Sequence, residues 1–125
     1  MSDRGDHVDL EVISEPVGLD VLKSIAEAQF GDMVKAVVDI DRMVMALGAE
    51  LHADEEDRLL ELGSAQADLW GINLYPDQHP GEDWIEFDSM INIRPAQGNQ
   101  SRSVEDPAAQ RRIREVVAKL VRASD

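Results

Sequence analysis

The chain has 125 residues, no cysteine and a formal net charge of −14. This length is typical of one domain with one core, and the lack of cysteine excludes disulfides, thiolate metal sites and cysteine nucleophiles. The acidic excess would repel nucleic acids and anionic membranes, so we expect neither as a partner. No segment approaches the ~20 apolar residues of a membrane span. Residues 1–9 are polar, without the apolar stretch of a signal peptide. We therefore expect a cytoplasmic protein, with a disordered tail over residues 1–9 and a single domain over residues 10–125.

The first half of the chain predicts a strand, a helix and a hairpin. Alternating apolar residues indicate an edge strand over residues 10–16. Apolar residues one turn apart then predict a helix that Gly31 ends in a left-handed conformation. Strands over residues 34–40 and 43–47 follow, joined by a tight turn.

The second half predicts a helix, a longer hairpin and a final helix. The first of these helices begins near Asp54, whose side chain would cap it. Residues 69–75 pair with residues 84–93, and Asp106 and Pro107 begin the last helix. Its apolar positions repeat at helical spacing: Ile113, Val116, Val117, Leu120 and Val121. The order β-α-β-β-α-β-β-α predicts an α+β fold, with about five mainly antiparallel strands and three helices covering one face.

Polar residues of the predicted strand over residues 84–93, together with Arg94 just after it, fall on one face. They are Glu86, Asp88, Asn92 and Arg94. A sheet with one solvated face explains this pattern without any function. The alternative is a polar pocket on the open face of the sheet, shared with His52 or Lys35.

The loop of residues 94–103 holds two arginines, Arg94 and Arg102, with amides and hydroxyls between them. Such a loop, just before a helix, can surround an anion with guanidinium groups and backbone N–H groups. It matches no phosphate-binding fingerprint. The alternative is an ordered connection whose arginines pair with Glu86, Asp88 or Glu105.

The sequence signals for a metal site are weaker than those for an anion site. Asp39 and Asp41 could present two carboxylates to a hard cation such as Mg²⁺, or could simply form a turn. His52 has Glu55 and Glu56 three and four residues on, but no second histidine lies at ligand spacing. We expect no transition-metal site and keep a divalent cation as a candidate companion of an anionic ligand.

Four runs of the chain resemble a known family. They are residues 30–40 (FGDMVKAVVDI), 50–56 (ELHADEE), 69–76 (LWGINLYP) and 85–95 (IEFDSMINIRP). They resemble a family of small prokaryotic proteins known only as a domain of unknown function, number 5674. The resemblance implies a stand-alone cytoplasmic domain, and it carries over no activity or catalytic residue.

The leading hypothesis is therefore a protein that binds a small anionic ligand. Its candidate binding residues are His52, Asp88, Asn92, Arg94, Asn99 and Arg102. A second hypothesis is an interaction protein without chemistry, in which the polar sheet face or the last helix forms a homo-oligomer or docks a partner. A third is a metal-dependent hydrolase that uses Asp39, Asp88 and His52. No catalytic residue is predicted.

Overall fold

An antiparallel sheet of five strands is the centre of the computed structural model, which describes residues 10–123. The strands are β1 (Glu11–Ile13), β2 (Val17–Gly18), β3 (Val34–Asp39), β4 (Val44–Leu47), β5 (Leu69–Leu74), β6 (Ile85–Glu86) and β7 (Val121–Arg122). The helices are α1 (Leu19–Ala28), α2 (His52–Glu61) and α3 (Pro107–Leu120). The sheet runs β1-β4-β3-β5-β6, while β2 and β7 form a separate parallel pair. The predicted α+β class is confirmed, and the tail predicted at residues 1–9 lies outside the described residues.

Helices cover both faces of this sheet. Successive strand residues point to opposite faces, and Val37 and Val38 are both fully buried. Val38 belongs to the larger core with α1 and α3, whereas Val37 packs with Leu59 of α2. The expectation that all helices cover one face was therefore wrong, because the central strand is apolar on both sides.

The last helix follows its sequence pattern. Asp106 caps it by accepting the backbone N–H of Ala108 at 3.0 Å, and Pro107 is its first residue. The predicted stripe from Ile113 to Leu120 is fully buried in the larger core. Val121 leaves the helix and begins β7.

Helix α2 begins two residues earlier than predicted. Its N-cap is Leu51, and no side chain caps it, so the capping role predicted for Asp54 was wrong. Asp54 lies instead in the first turn, where a negative charge favours the helix dipole. This earlier start puts His52 in the first position of the helix, facing the sheet.

The Asp39–Asp41 pair forms a turn. The Asp39 carboxylate is fully buried and accepts the backbone N–H groups of Asp41 and Arg42, both at 2.9 Å. Its other oxygen accepts the Ser64 hydroxyl at 2.6 Å. All of these bonds hold the β3–β4 connection, which agrees with the turn interpretation.

The predicted strand over residues 84–93 was wrong beyond Glu86. Strand β6 pairs with β5 over two residues only, and a short 3₁₀ helix, Met90–Asn92, replaces the rest. The Asn92 side chain takes the place of a strand partner for Gly71. Its Oδ1 accepts the Gly71 N–H at 2.8 Å, and its Nδ2 donates to the Gly71 carbonyl at 3.0 Å. The backbone of β5 is thus satisfied without a continuous neighbouring strand.

Candidate functional site

A concavity of about 210 Å³ lies on the face of the sheet that α2 covers. Lys35 of β3 and Asn73 of β5, which are directly opposite each other in the register, contribute to its floor. His52 lines it from the start of α2, and Asp88 and Arg102 line it from the two ends of the long connection after β6. Polar residues of β3, β5, α2 and the connection after β6 therefore meet around one space.

His52 is held in one tautomer. Its Nε2 lies 2.8 Å from the carbonyl oxygen of Ile72, and because a carbonyl only accepts, Nε2 carries the proton. Burial lowers the pKa of His52, and the positive charges of Lys35 and Arg102 act in the same direction. The bond to Ile72 and the charge of Asp88 oppose this shift. The imidazole is therefore neutral near pH 7, with a lone pair on Nδ1.

Asn73 also has a defined orientation. Its Nδ2 donates to the Glu86 carboxylate at 2.9 Å and to the Asp88 carbonyl at 3.3 Å. Both partners only accept in this arrangement, so the amide oxygen points away from them. That oxygen, Oδ1, is buried and has no hydrogen-bond partner among residues 10–123.

Asp88 and Arg102 form an ion pair at the rim. The Arg102 Nε donates to Asp88 Oδ1 at 2.6 Å, and both side chains are about half exposed. This hydrogen bond and the charge of Asp88 raise the pKa of Arg102. An exposed pair of this kind exchanges partners readily, so Arg102 retains donors for an incoming anion.

Arg94 lies outside the concavity. Its guanidinium donates to the carbonyls of Gln66 and Leu69 and lies 4.3 Å from the centre of the Trp70 ring. Burial lowers the pKa of Arg94. The structure therefore does not bring Arg94 and Arg102 into one anion-binding loop, because Nη1 and Nη2 of Arg94 donate to backbone carbonyls and its Nε is buried without a partner among residues 10–123.

Asn92 and Asn99 are also outside the concavity, but they hold its wall. Asn99 Nδ2 donates to the Asn92 and Ser103 carbonyls, at 2.8 and 2.7 Å, and its Oδ1 accepts the Glu105 N–H at 2.8 Å. Asn92 Nδ2 also donates to the Arg102 carbonyl at 2.9 Å. These two predicted binding residues thus position the backbone of Arg102.

Glu55 is a further buried acid, which the sequence indicated only as a weak metal-binding companion of His52. It is fully buried in α2, where one carboxylate oxygen accepts the Ala49 N–H at 3.0 Å and the other has no partner among the described residues. Burial raises the pKa of Glu55 well above its ordinary value. The sequence signal was an acid at a core-facing helical position, one turn before Leu59.

Among residues 10–123 there is neither a cluster of metal-binding side chains nor a helix that could span a membrane. Within residues 10–123, no group of three or more histidine, aspartate or glutamate side chains is arranged to hold a metal ion. None of the helices in the same range is long and apolar enough to cross a membrane.

A family model for proteins of unknown function (DUF5674) matches residues 11–120. The chain belongs to this family. The match confirms the resemblance seen in the four sequence runs and covers nearly all of the described fold. Neither the curated proteins nor the solved structures contain a significant match to the chain. Of the six candidate residues, the structure brings His52, Asp88 and Arg102 together, and ligand binding by them stays a prediction.

Proposed function

We propose that this protein binds a small organic anion in the concavity between β3, β5 and the start of α2. The observation that carries the proposal is the charge of the lining. Lys35 and Arg102 face a single lining carboxylate, Asp88, in a chain whose net charge is −14. A local excess of positive charge inside an acidic surface attracts anions to that point.

The charge balance favours a monoanion. The two cations and Asp88 leave one positive charge in excess, since His52 is neutral there. The nearby Glu86 carboxylate does not line the concavity, and one of its oxygens accepts both Asn73 and Tyr75. A carboxylate would neutralise the excess, whereas a doubly charged phosphate would add negative charge to an already acidic protein.

The rim favours a ligand with an apolar part. Leu51 and Met90 line the concavity and are 57% and 64% exposed. Burying apolar surface against such side chains is favourable at roughly 25 cal/mol per Å². The volume of about 210 Å³ suits a small metabolite better than a nucleotide or a peptide.

The test is a binding screen by calorimetry and thermal shift with small carboxylates and inorganic phosphate, at matched ionic strength. A ligand at a hundredfold excess over its Kd should stabilise the fold by about 2.7 kcal/mol. Arg102→Ala and Lys35→Ala should each raise the Kd at least about tenfold, since a hydrogen bond to a charged group is worth about 1.5–3 kcal/mol and about 1.4 kcal/mol is a factor of ten. Arg111→Ala removes an exposed arginine of α3 on the other face of the sheet and should leave the Kd unchanged. The proposal fails if no anion shifts the melting temperature more than matched chloride does.

The exposed Leu51 and Met90 also favour a second candidate function, the docking of another copy of the chain over the same rim. Light scattering of the wild type and of Met90→Ser separates the two functions. A dimer that the substitution disrupts supports docking, and a monomeric wild type excludes it.

A further inference from the structure

Two hydrogen-bond acceptors of the concavity lack partners. Asn73 Oδ1 is buried and has no partner within residues 10–123, whereas His52 Nδ1 makes no hydrogen bond in the same range and is open to solvent. Asn73 is only 6% exposed, so bulk water does not reach its amide freely. Buried polar groups are nearly always paired in folded proteins, and an exception at a site indicates a missing partner.

His52 Nδ1 and Asn73 Oδ1 can only accept hydrogen bonds. The Nε2–H of His52 is committed to the Ile72 carbonyl, so the lone pair of the neutral ring is on Nδ1. The NH₂ group of Asn73 is committed to Glu86 and the Asp88 carbonyl, so the remaining atom is the oxygen. A simple carboxylate offers acceptors alone and leaves both atoms unsatisfied, whereas a hydroxyl or an amine supplies the donor that they lack.

The cation and the acceptors lie side by side. Lys35 and Asn73 are direct cross-strand neighbours on the same face of the β3–β5 pair, a position in which Cβ atoms are about 4.5–5.5 Å apart. A ligand that places its anion at Lys35 and Arg102 therefore lies next to Asn73 on the same sheet face.

Building on the proposed anion site, we propose that the ligand is a small carboxylate with a hydroxyl group on the carbon next to the carboxylate. Lys35 and Arg102 hold the carboxylate, while His52 Nδ1 and Asn73 Oδ1 accept from the neighbouring donor. The exposed Leu51 and Met90 contact the aliphatic remainder.

Three probes with one carbon skeleton test this inference by calorimetry at pH 7: isovalerate, α-hydroxyisovalerate and valine. We expect the hydroxy acid to bind at least about tenfold more tightly than isovalerate, because a site built to accept from a donor rejects the analogue without it. Valine is a zwitterion without net charge at pH 7, so tighter binding of valine than of the hydroxy acid would contradict the charge balance of the site. Equal affinities overturn this inference and leave the anion site standing. If no anion binds at all, the proposed function fails with it.

Variants of the acceptors give an independent readout, the ratio of two affinities in one folded protein. His52→Leu should reduce the preference for the donor-bearing probe, while His52→Gln, which keeps an amide donor and an acceptor, should retain it. Asn73→Ala serves the same purpose where His52→Leu does not fold. A preference that is unchanged in the folded variants overturns the assignment of these acceptors, and thermal melting of each variant establishes that it is folded.

Discussion

Gly71 of β5 is the position where the fold leaves least space for a side chain. An ideal Cβ at Gly71 would lie 2.5 Å from both Cβ and Oγ of Ser89 and 3.1 Å from Cγ1 of Ile91. The backbone of Gly71 does not have a positive φ, so an alanine there meets no conformational barrier. Gly71→Ala therefore isolates one effect, the displacement of the segment that forms the wall of the concavity.

The size of the destabilisation by Gly71→Ala follows from the distances between the added Cβ and its neighbours. Carbon atoms in contact sit about 3.5–4.0 Å apart, so Ser89 must move by about 1 Å. The same movement stretches the two bonds between Asn92 and Gly71, now 2.8 and 3.0 Å, beyond the normal range of about 3.2 Å. Overpacking of this kind costs about 1–3 kcal/mol, and each lost hydrogen bond adds about 1 kcal/mol. We expect a loss of about 3–5 kcal/mol in the free energy of unfolding.

Urea unfolding and thermal melting measure this loss, which corresponds to a fall of at least about 10 °C for a domain of this size. Ser89→Gly removes both of the closest atoms, so the double variant should be more stable than the sum of the single effects predicts. A coupling of at least about 1 kcal/mol is expected for residues in such contact. An unchanged unfolding midpoint in Gly71→Ala, or strictly additive single effects, would refute the argument that Ser89 needs this glycine.

Three further predictions concern the buried Val117 and Glu55 and the half-buried Arg94. Val117→Asp places a charge in the fully buried stripe of α3 and should lower the free energy of unfolding by several kcal/mol; an unchanged melting temperature would show that the helix is not docked. Since the pKa of Glu55 is raised in the fold, the contribution of Glu55 to stability is greatest below the ordinary glutamate pKa of about 4.5 and is lost as the pH rises through the raised value. The Glu55→Gln variant should not show this loss of stability with rising pH and should be more stable than the wild type at pH 7. Urea unfolding of both proteins between about pH 4.5 and 8 tests this prediction. A free energy of unfolding with the same pH dependence in the wild type and the variant would contradict it. Arg94→Ala should destabilise the fold by about 1–3 kcal/mol, because the Gln66 and Leu69 carbonyls lose their donor. It should leave the Kd of any anion unchanged, whereas Arg102→Ala should raise the Kd. A raised Kd with unchanged stability in Arg94→Ala would show that Arg94 belongs to the binding site.

Local patterns in the sequence were sufficient to predict much of the fold. The cap at Asp106, the apolar spacing of α3 and the hairpin of β3 and β4 depend on neighbours a few residues apart, so the chain specifies them directly. The same local reasoning placed His52 and Lys35 near the polar sheet face, and both line the concavity.

Contacts between distant segments decided the rest. Nothing in residues 84–93 alone shows that the strand ends at Glu86, because the cause is the close approach of Ser89 to Gly71 and the bonding of the Asn92 side chain to the β5 backbone. Arg94 and Arg102 look equivalent in sequence, yet Arg94 meets carbonyls that lie 25 and 28 residues away. Only Arg102 remains beside the concavity. The periodicity of apolar residues specifies which face of a helix or strand is apolar. The hydrogen-bond partner of a polar side chain depends instead on which remote backbone group comes within about 3 Å of it. That approach is determined only by the packing of the whole chain.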